Sequence, residues 1–429
     1  MEDLPDSLDE TYERILREIR KPNEDHARRM LQCLVAAVRP LQVAELAEVL
    51  AFDFGAEGIP RLNLDWRWED HEEAVMSTCS SLVMIVGDTQ EREDESDDGV
   101  EDESEDGNKN KNGDSRIVQF CHFSVKEFLM SSRFAESRRD VSHYHIELEP
   151  AHTILAQACL GVLLQLDDRV DRDKVKNFPL AEYAARHWVE HARFDGVSSH
   201  IKDGMECLFD TDKPHFSAWL WIYNEDRAGR VMMPTMSPEK PEANALYYAA
   251  FFGFRDLTAR LLFYHPEDVH AKGGFEVTPL HASAYRGHTD VLSLLLQHVP
   301  NLDIKGDQAQ TPLHLASWNG DLETAKLLLD HGADVNARAN FDRTPLFIAA
   351  EIGQLAFARM LLENGAMINI PYWRTPLHMA SQNGHVEVVR LLVEHGADLH
   401  ARDENGRTPS ESASRYGNVE IVQLLSQSL

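Results

Sequence analysis

Apolar residues in the first eighty positions recur at helical spacing. Between 6 and 20, Leu8, Tyr12, Ile15, Leu16 and Ile19 fall on one face, and Asp6 or Ser7 is placed to cap the first turn. Pro22 opens a second segment with Met30, Leu31, Leu34, Val35 and Val38 inward. Pro40-Leu41 turns the chain, after which 43–50 predicts a third helix and 66–79 a fourth. The period then changes. Residues 82–86 and 117–121 read as the two strands of a hairpin, and 123–134 returns to helix. Further helices are expected at 151–166 and at 179–192, where Tyr183, Trp188 and His191 recur. The aromatic cluster Trp219, Trp221 and Tyr223 is expected to dock this stretch onto the segment that follows, and 225–242, rich in Pro and Met, reads as a linker.

Beyond residue 242 the pattern repeats. Thr278-Pro279-Leu280-His281, Thr311-Pro312-Leu313-His314, Thr344-Pro345-Leu346-Phe347 and Thr375-Pro376-Leu377-His378 lie 33, 33 and 31 residues apart, and a worn copy begins at Thr408-Pro409. Thr caps a helix, Pro occupies its first turn, and Gly287, Gly320, Gly353, Gly384 and Gly417 end it. A second helix rich in Val and Leu follows each glycine, then a polar segment predicted to be a β-hairpin finger. Asn244-Ala245-Leu246-Tyr247 starts a divergent first copy. A period near 33 with this content resembles the ankyrin repeat, and six units over about 242–429 are expected, with divergent end copies as caps. The fourth interval is two residues short, which predicts a stubby finger at 369–374.

The resemblance implies a binding surface made of finger tips and of the first-helix positions just before each glycine. Those helix positions hold Tyr285, Arg286, Trp318, Asn319, Glu351, Ile352, Gln382, Asn383, Arg415 and Tyr416. The fingers add Phe275, Gln308, Gln310, Phe341, Arg343, Tyr372, Trp373, Arg374, Asn405 and Arg407. Trp, Tyr and Arg are the side chains that most often carry binding energy at protein interfaces. His281, His314 and His378 are expected to bridge neighbouring fingers by hydrogen bonds, as in that family, rather than to ligate a metal.

The N-terminal order of helices, hairpin and helix is that of a winged-helix domain. Leu4-Pro5-Asp6-Ser7-Leu8-Asp9-Glu10-Thr11-Tyr12, Arg39-Pro40-Leu41 and His122-Phe123-Ser124-Val125-Lys126-Glu127-Phe128-Leu129 resemble the segment that follows the NACHT ATPase in fungal STAND-class signalling proteins. That resemblance implies a relay between an ATPase and a repeat sensor, with an intact STAND receptor as a partner. The expected organisation is mainly α: a winged-helix-like domain at 1–140 with a disordered acidic insertion at 88–114, a helical bridge and linker at 141–241, and an ankyrin-repeat solenoid at 242–429. The chain has no GxxxxGK[ST] loop to cradle phosphate and no GxSxG nucleophile turn, so no ATPase or hydrolase activity and no cofactor is expected of it. An upstream catalytic domain in a longer product is the alternative expectation; a nucleic-acid-binding winged helix is the third.

Charge sharpens these choices. The chain has 72 acidic and 42 basic residues, a formal net charge of -30, and its acidic insertion sits where a DNA-reading wing would carry lysine and arginine. No nucleic-acid or membrane partner is expected, and the net charge suggests a basic patch on a protein partner. The five cysteines show no paired spacing and read as reduced, and the N-terminus lacks a basic targeting cluster, so a cytoplasmic location is expected. His187-Trp188-Val189-Glu190-His191 has the order of an inverted zinc-protease motif, but no third ligand is evident.

Overall fold

The computed structural model describes residues 8–55, 59–63, 66–67, 70–79, 81–87, 116–135, 140–225, 243–273, 277–369 and 374–427. The chain divides into two compact units, Met1–Pro241 and Glu242–Leu429. The insertion expected at 88–114, nearly all of the linker and the finger residues 370–373 lie outside the described residues.

The first unit opens with α1 (Leu8–Glu18) and α2 (Glu24–Ala36), then β1 (Leu41–Gln42) and α3 (Val43–Leu50). A small hairpin of β2 (Phe52–Asp53) and β3 (Arg61–Leu62) precedes α4 (His71–Cys79). Next come β4 (Val83–Val86) and β5 (Ile117–Phe120), which pair antiparallel with Ile85 opposite Val118. Strand β1 joins the far edge of β5, Leu41 opposite Val118, so the sheet order is β1-β5-β4. The helix expected over 123–134 is two pieces, α5 (Phe123–Leu129) and α6 (Ser132–Ala135), because Ser131 interrupts it by taking the Phe134 N–H on its Oγ.

The longest helix of the first unit, α7 (Leu148–Leu163), packs against α2. Short α8 (Arg172–Val175) leads to α9 (Ala181–Ala192), which also lies on α7, and α10 (Val197–His200), α11 (Lys202–Leu208) and α12 (His215–Glu225) complete the unit. Helix α7 is thus shared between the stretch read as a 1–140 domain and the stretch read as a separate bridge, and the two have a common core. Trp219 is fully buried in it: its ring meets Trp188 edge-on at 5.3 Å, and its Nε1–H donates to the Ala185 carbonyl at 3.1 Å. This tryptophan, part of the cluster expected to dock onto the following segment, fills the first unit's own core.

The second unit contains six helix pairs among the described residues: α13 (Ala245–Phe252) and α14 (Arg255–Tyr264), α15 (Pro279–Arg286) and α16 (Thr289–Leu296), α17 (Pro312–Asn319) and α18 (Leu322–Asp330), α19 (Pro345–Ile352) and α20 (Leu355–Glu363), α21 (Pro376–Asn383) and α22 (Val386–Glu394), α23 (Pro409–Arg415) and α24 (Val419–Gln427). First helices pack on first helices and second on second, which gives two layers. Leu280, Leu313, Leu346 and Leu377 are buried with Leu292, Leu328, Leu361 and Leu392 in one continuous core. No unit could cover these faces alone, so stability is additive over neighbouring interfaces.

The fingers differ from expectation. No strands pair there among the described residues. Three of them are tight turns closed by a backbone hydrogen bond, Gly306 N to Gln310 O at 2.9 Å, Ala339 N to Arg343 O at 2.9 Å and Asp403 N to Arg407 O at 2.8 Å. Gln308 and Phe341 sit at φ of 51° and 58° inside these turns, too tightly wound for a strand ladder.

Candidate functional site

The candidate surface is built by the residues that end the first helices and by the fingers. Its support begins with the Thr-Pro starts. Thr311 N–H and the Thr311 hydroxyl both reach His314 Nδ1, at 3.1 and 2.8 Å, and His314 Nε2–H donates to the Arg343 carbonyl at 2.9 Å. His281 does the same between Thr278 and Gln310, and His378 between Thr375 and Arg407. One side chain therefore closes its own helix start and pins the next finger, as expected of these histidines. Burial pushes the His281 and His314 imidazoles down to about 4, although the carbonyl each one bonds pulls the other way. Both nitrogens of each ring are used.

A second row of staples joins the repeats. The Asn319 amide donates to the Tyr285 carbonyl, Gln354 Nε2 to Trp318 O at 3.2 Å, Asn383 Nδ2 to Glu351 O at 2.7 Å and Asn418 Nδ2 to Gln382 O at 2.9 Å. His288 and His385 reach Phe251 O and Glu351 O in the same way. Each satisfies a carbonyl left over at the end of the preceding first helix. Asn319 and Asn383, nominated as contact residues, thus spend an amide donor inside the stack. Gln354, His385 and Asn418 were not singled out from the sequence, although an amide or imidazole recurring beside the glycine was a signal for them.

The arginines are also engaged. Arg343 pairs with Glu351 and lies 5.4 Å over the Trp318 ring and 5.3 Å from the Phe347 centroid. Arg374 pairs with Glu404 at 2.6 Å and donates to Gln382 Oε1 at 3.2 Å. Hydrogen bonding to Arg374 holds the Glu404 carboxyl below its ordinary range. Arg407 pairs with Asp403 at 3.1 Å. Gln310 lends its carbonyl to His281, and Asn405 N–H donates to Asp403 Oδ1 at 2.9 Å.

Four aromatics stay open. Tyr285, Trp318, Phe341 and Tyr416 are exposed, Phe341 at 77%. Gln308, Arg286 and Arg415 are exposed beside them, and Ile352, Glu351 and Gln382 are half-buried. Arg286 lies 4.9 Å over the Phe251 ring. Phe275, Tyr372 and Trp373 lie outside the described residues. On the second-helix layer a groove of about 400 Å³ runs between α18 and α20, lined by Leu322, Leu355, Ala356 and Met360; the sequence reading did not anticipate it.

The His-x-x-Glu-His stretch folds as support. His191 is fully buried, with Nε2 2.8 Å from the Tyr183 hydroxyl and Nδ1 2.8 Å from His152 Nδ1, which leaves neither nitrogen for a metal. Burial drives its pKa down to about 3. Among the described residues no group of three or more His, Cys, Asp or Glu is arranged to hold a metal ion, and no helix is long and apolar enough to cross a membrane.

Comparison with known proteins agrees with this geometry in the second unit. A family model described as ankyrin repeats in three copies matches residues 246–339 and 371–428, and one described as ankyrin repeats in many copies matches 320–362. The C-terminal region is an ankyrin-repeat array. The chain is also 29% identical over 309 residues to the azaphilone pigments biosynthesis cluster protein L of Monascus ruber, an alignment that covers 68% of this chain and 59% of that protein. The chain thus spans less than two thirds of that relative's length.

Proposed function

We propose that the chain is a non-catalytic recognition protein whose first-helix and finger surface binds a protein ligand. The observation that carries this reading is the row of exposed aromatics, Tyr285, Trp318, Phe341 and Tyr416, on a scaffold stapled by hydrogen bonds between neighbouring repeats. Large apolar side chains held open on rigid elements are what an interface hot spot requires, because little ordering entropy is lost on binding.

The first unit is read as a winged-helix-like relay of the STAND type, within a protein that signals or recognises non-self. The order of its elements supports this: α2, β1, α3 and α4 precede the β4–β5 hairpin, and β1 closes the sheet beside β5. A second reading, a regulatory part acting with a catalytic domain elsewhere, draws on the greater length of the matched relative.

The test is affinity capture from cell extract with the full chain and with Trp318→Ala and Tyr416→Ala baits. Loss of a captured protein with either substitution is the expected result. An identical set of proteins on all three baits contradicts the assignment of the face, and turnover of nucleotide or peptide by the purified chain contradicts the non-catalytic reading.

A further inference from the structure

Resting on the recognition reading above, we infer that the ligand of this face is an acidic protein segment with an aromatic or apolar anchor. The chain's net charge of -30 points the other way, toward a basic partner. That charge is not spread evenly over the ankyrin unit. The six second helices carry eight acidic and five basic residues. The first helices, together with the fingers at 271–277, 304–310, 337–343, 370–374 and 401–407, carry nine basic and seven acidic residues. The face reverses the sign of the molecule that bears it.

Pairing sharpens the asymmetry. Among the described residues four acids of this face are paired with arginines: Glu351 with Arg343, Glu404 with Arg374, Asp403 with Arg407 and Asp342 with Arg338. Glu411 takes the Thr408 N–H at 2.7 Å, and Asp307 takes the Gln308 N–H at 2.8 Å. Among the described residues four cations of the face have no carboxylate partner: Arg286, Lys305, Arg402 and Arg415. Three of them are arginines, which suit bidentate capture of a carboxylate. Arg286 is steadied over Phe251, one residue from exposed Tyr285, and Arg415 adjoins exposed Tyr416. The second and sixth units thus each carry an exposed arginine next in sequence to an exposed tyrosine, and Trp318 lies between them in sequence order. A carboxylate-bearing segment with an apolar side chain meets both features, whereas a lysine-rich one meets cations that no acid offsets. A polyanionic nucleic acid offers charge without the anchor, and the acidic remainder of the chain opposes its approach.

The test pans a random-peptide display library against the immobilised full chain and keeps the peptides whose binding is lost with Trp318→Ala. The expected set is net negative and contains an aromatic or large apolar residue. Its members bind the Arg286→Glu/Arg415→Glu variant about tenfold or more weakly at low salt, since charge reversal at an interface replaces attraction with repulsion. A Trp318-dependent set that is net positive or neutral overturns the acidic-ligand inference and leaves the face intact. If no peptide depends on Trp318, the face itself is wrong. An oligonucleotide that displaces the selected peptides at equal concentration also overturns the inference.

Discussion

His314 Nε2 lies 2.9 Å from the Arg343 carbonyl, 29 residues along the chain, while Nδ1 of the same ring closes the helix start at Thr311. The Nδ1 contact works only for the neutral imidazole, because there Nδ1 must accept the Thr311 N–H, whereas Nε2–H donates in either protonation state. His281 has the same arrangement, and burial holds both near 4 against an ordinary 6.5. The folded state therefore binds fewer protons than the unfolded chain between about pH 4 and 6.5, and stability rises with pH across that window. The contribution is fully present above 6.5 and is lost on acidification toward 4. Each histidine accounts for on the order of 3 kcal/mol by this linkage. Urea unfolding of the second unit at pH 7.5, 6 and 5 should show a falling midpoint, and His281→Gln/His314→Gln should flatten the slope. An unchanged slope in the double variant contradicts the account.

Two glycines at similar backbone angles should respond differently to alanine. Gly353 and Gly332 sit at φ of 90° and 94°. A Cβ at Gly353 would meet His385 Nδ1 at 2.4 Å, whereas nothing lies within 4 Å of one at Gly332. Left-handed strain of about 1–2 kcal/mol is common to both. Gly353→Ala should lose roughly 1–3 kcal/mol more, as overpacked sites do. His385 is the ring whose Nε2–H donates to the Glu351 carbonyl, so the clash also breaks a staple. Denaturant midpoints of the two variants decide this, and equal losses would contradict it.

In the first unit Glu48 is buried, pairs with Arg67 and accepts the Leu180 N–H at 2.7 Å. Burial raises its pKa although both partners oppose this. Glu48→Ala leaves the guanidinium of a largely buried pair and a backbone N–H without their acceptor, and about 3 kcal/mol should be lost. Glu48→Gln, which keeps an acceptor, should lose less. Urea unfolding followed by tryptophan fluorescence reads this directly, because Trp188 and Trp219 are both in that core. A smaller loss for alanine than for glutamine would be inconsistent with the geometry.

What could be read from the sequence is what depends on local spacing. The Thr-Pro starts, the glycine ends and the apolar stripes of α15 to α22 are set within a few residues of one another, and the structure places them as expected. The β4–β5 hairpin was legible from the change in period. Strand β1 was not, because a two-residue segment carries no period and is defined only by Ile117 and Val118 across the sheet. The site divides the same way. Exposed Trp318 and Tyr416 follow from their slot in the repeat. The engagement of Asn319, Asn383 and Arg343 depends on carbonyls and carboxylates that the stack brings together from the neighbouring repeat or the helix beyond the finger, and no local pattern reports them. That Trp219 packs on Trp188 was not legible either, since the two rings are brought together by separate helices and no local spacing reports it.

The most direct measurement is hydrogen–deuterium exchange on the full chain with and without a captured partner. The account predicts slowed exchange in the ends of α15, α17, α19 and α23 and in the fingers at 304–310 and 337–343, with the second helices unchanged. Protection confined to the α18–α20 groove, or to residues 8–225, would contradict it.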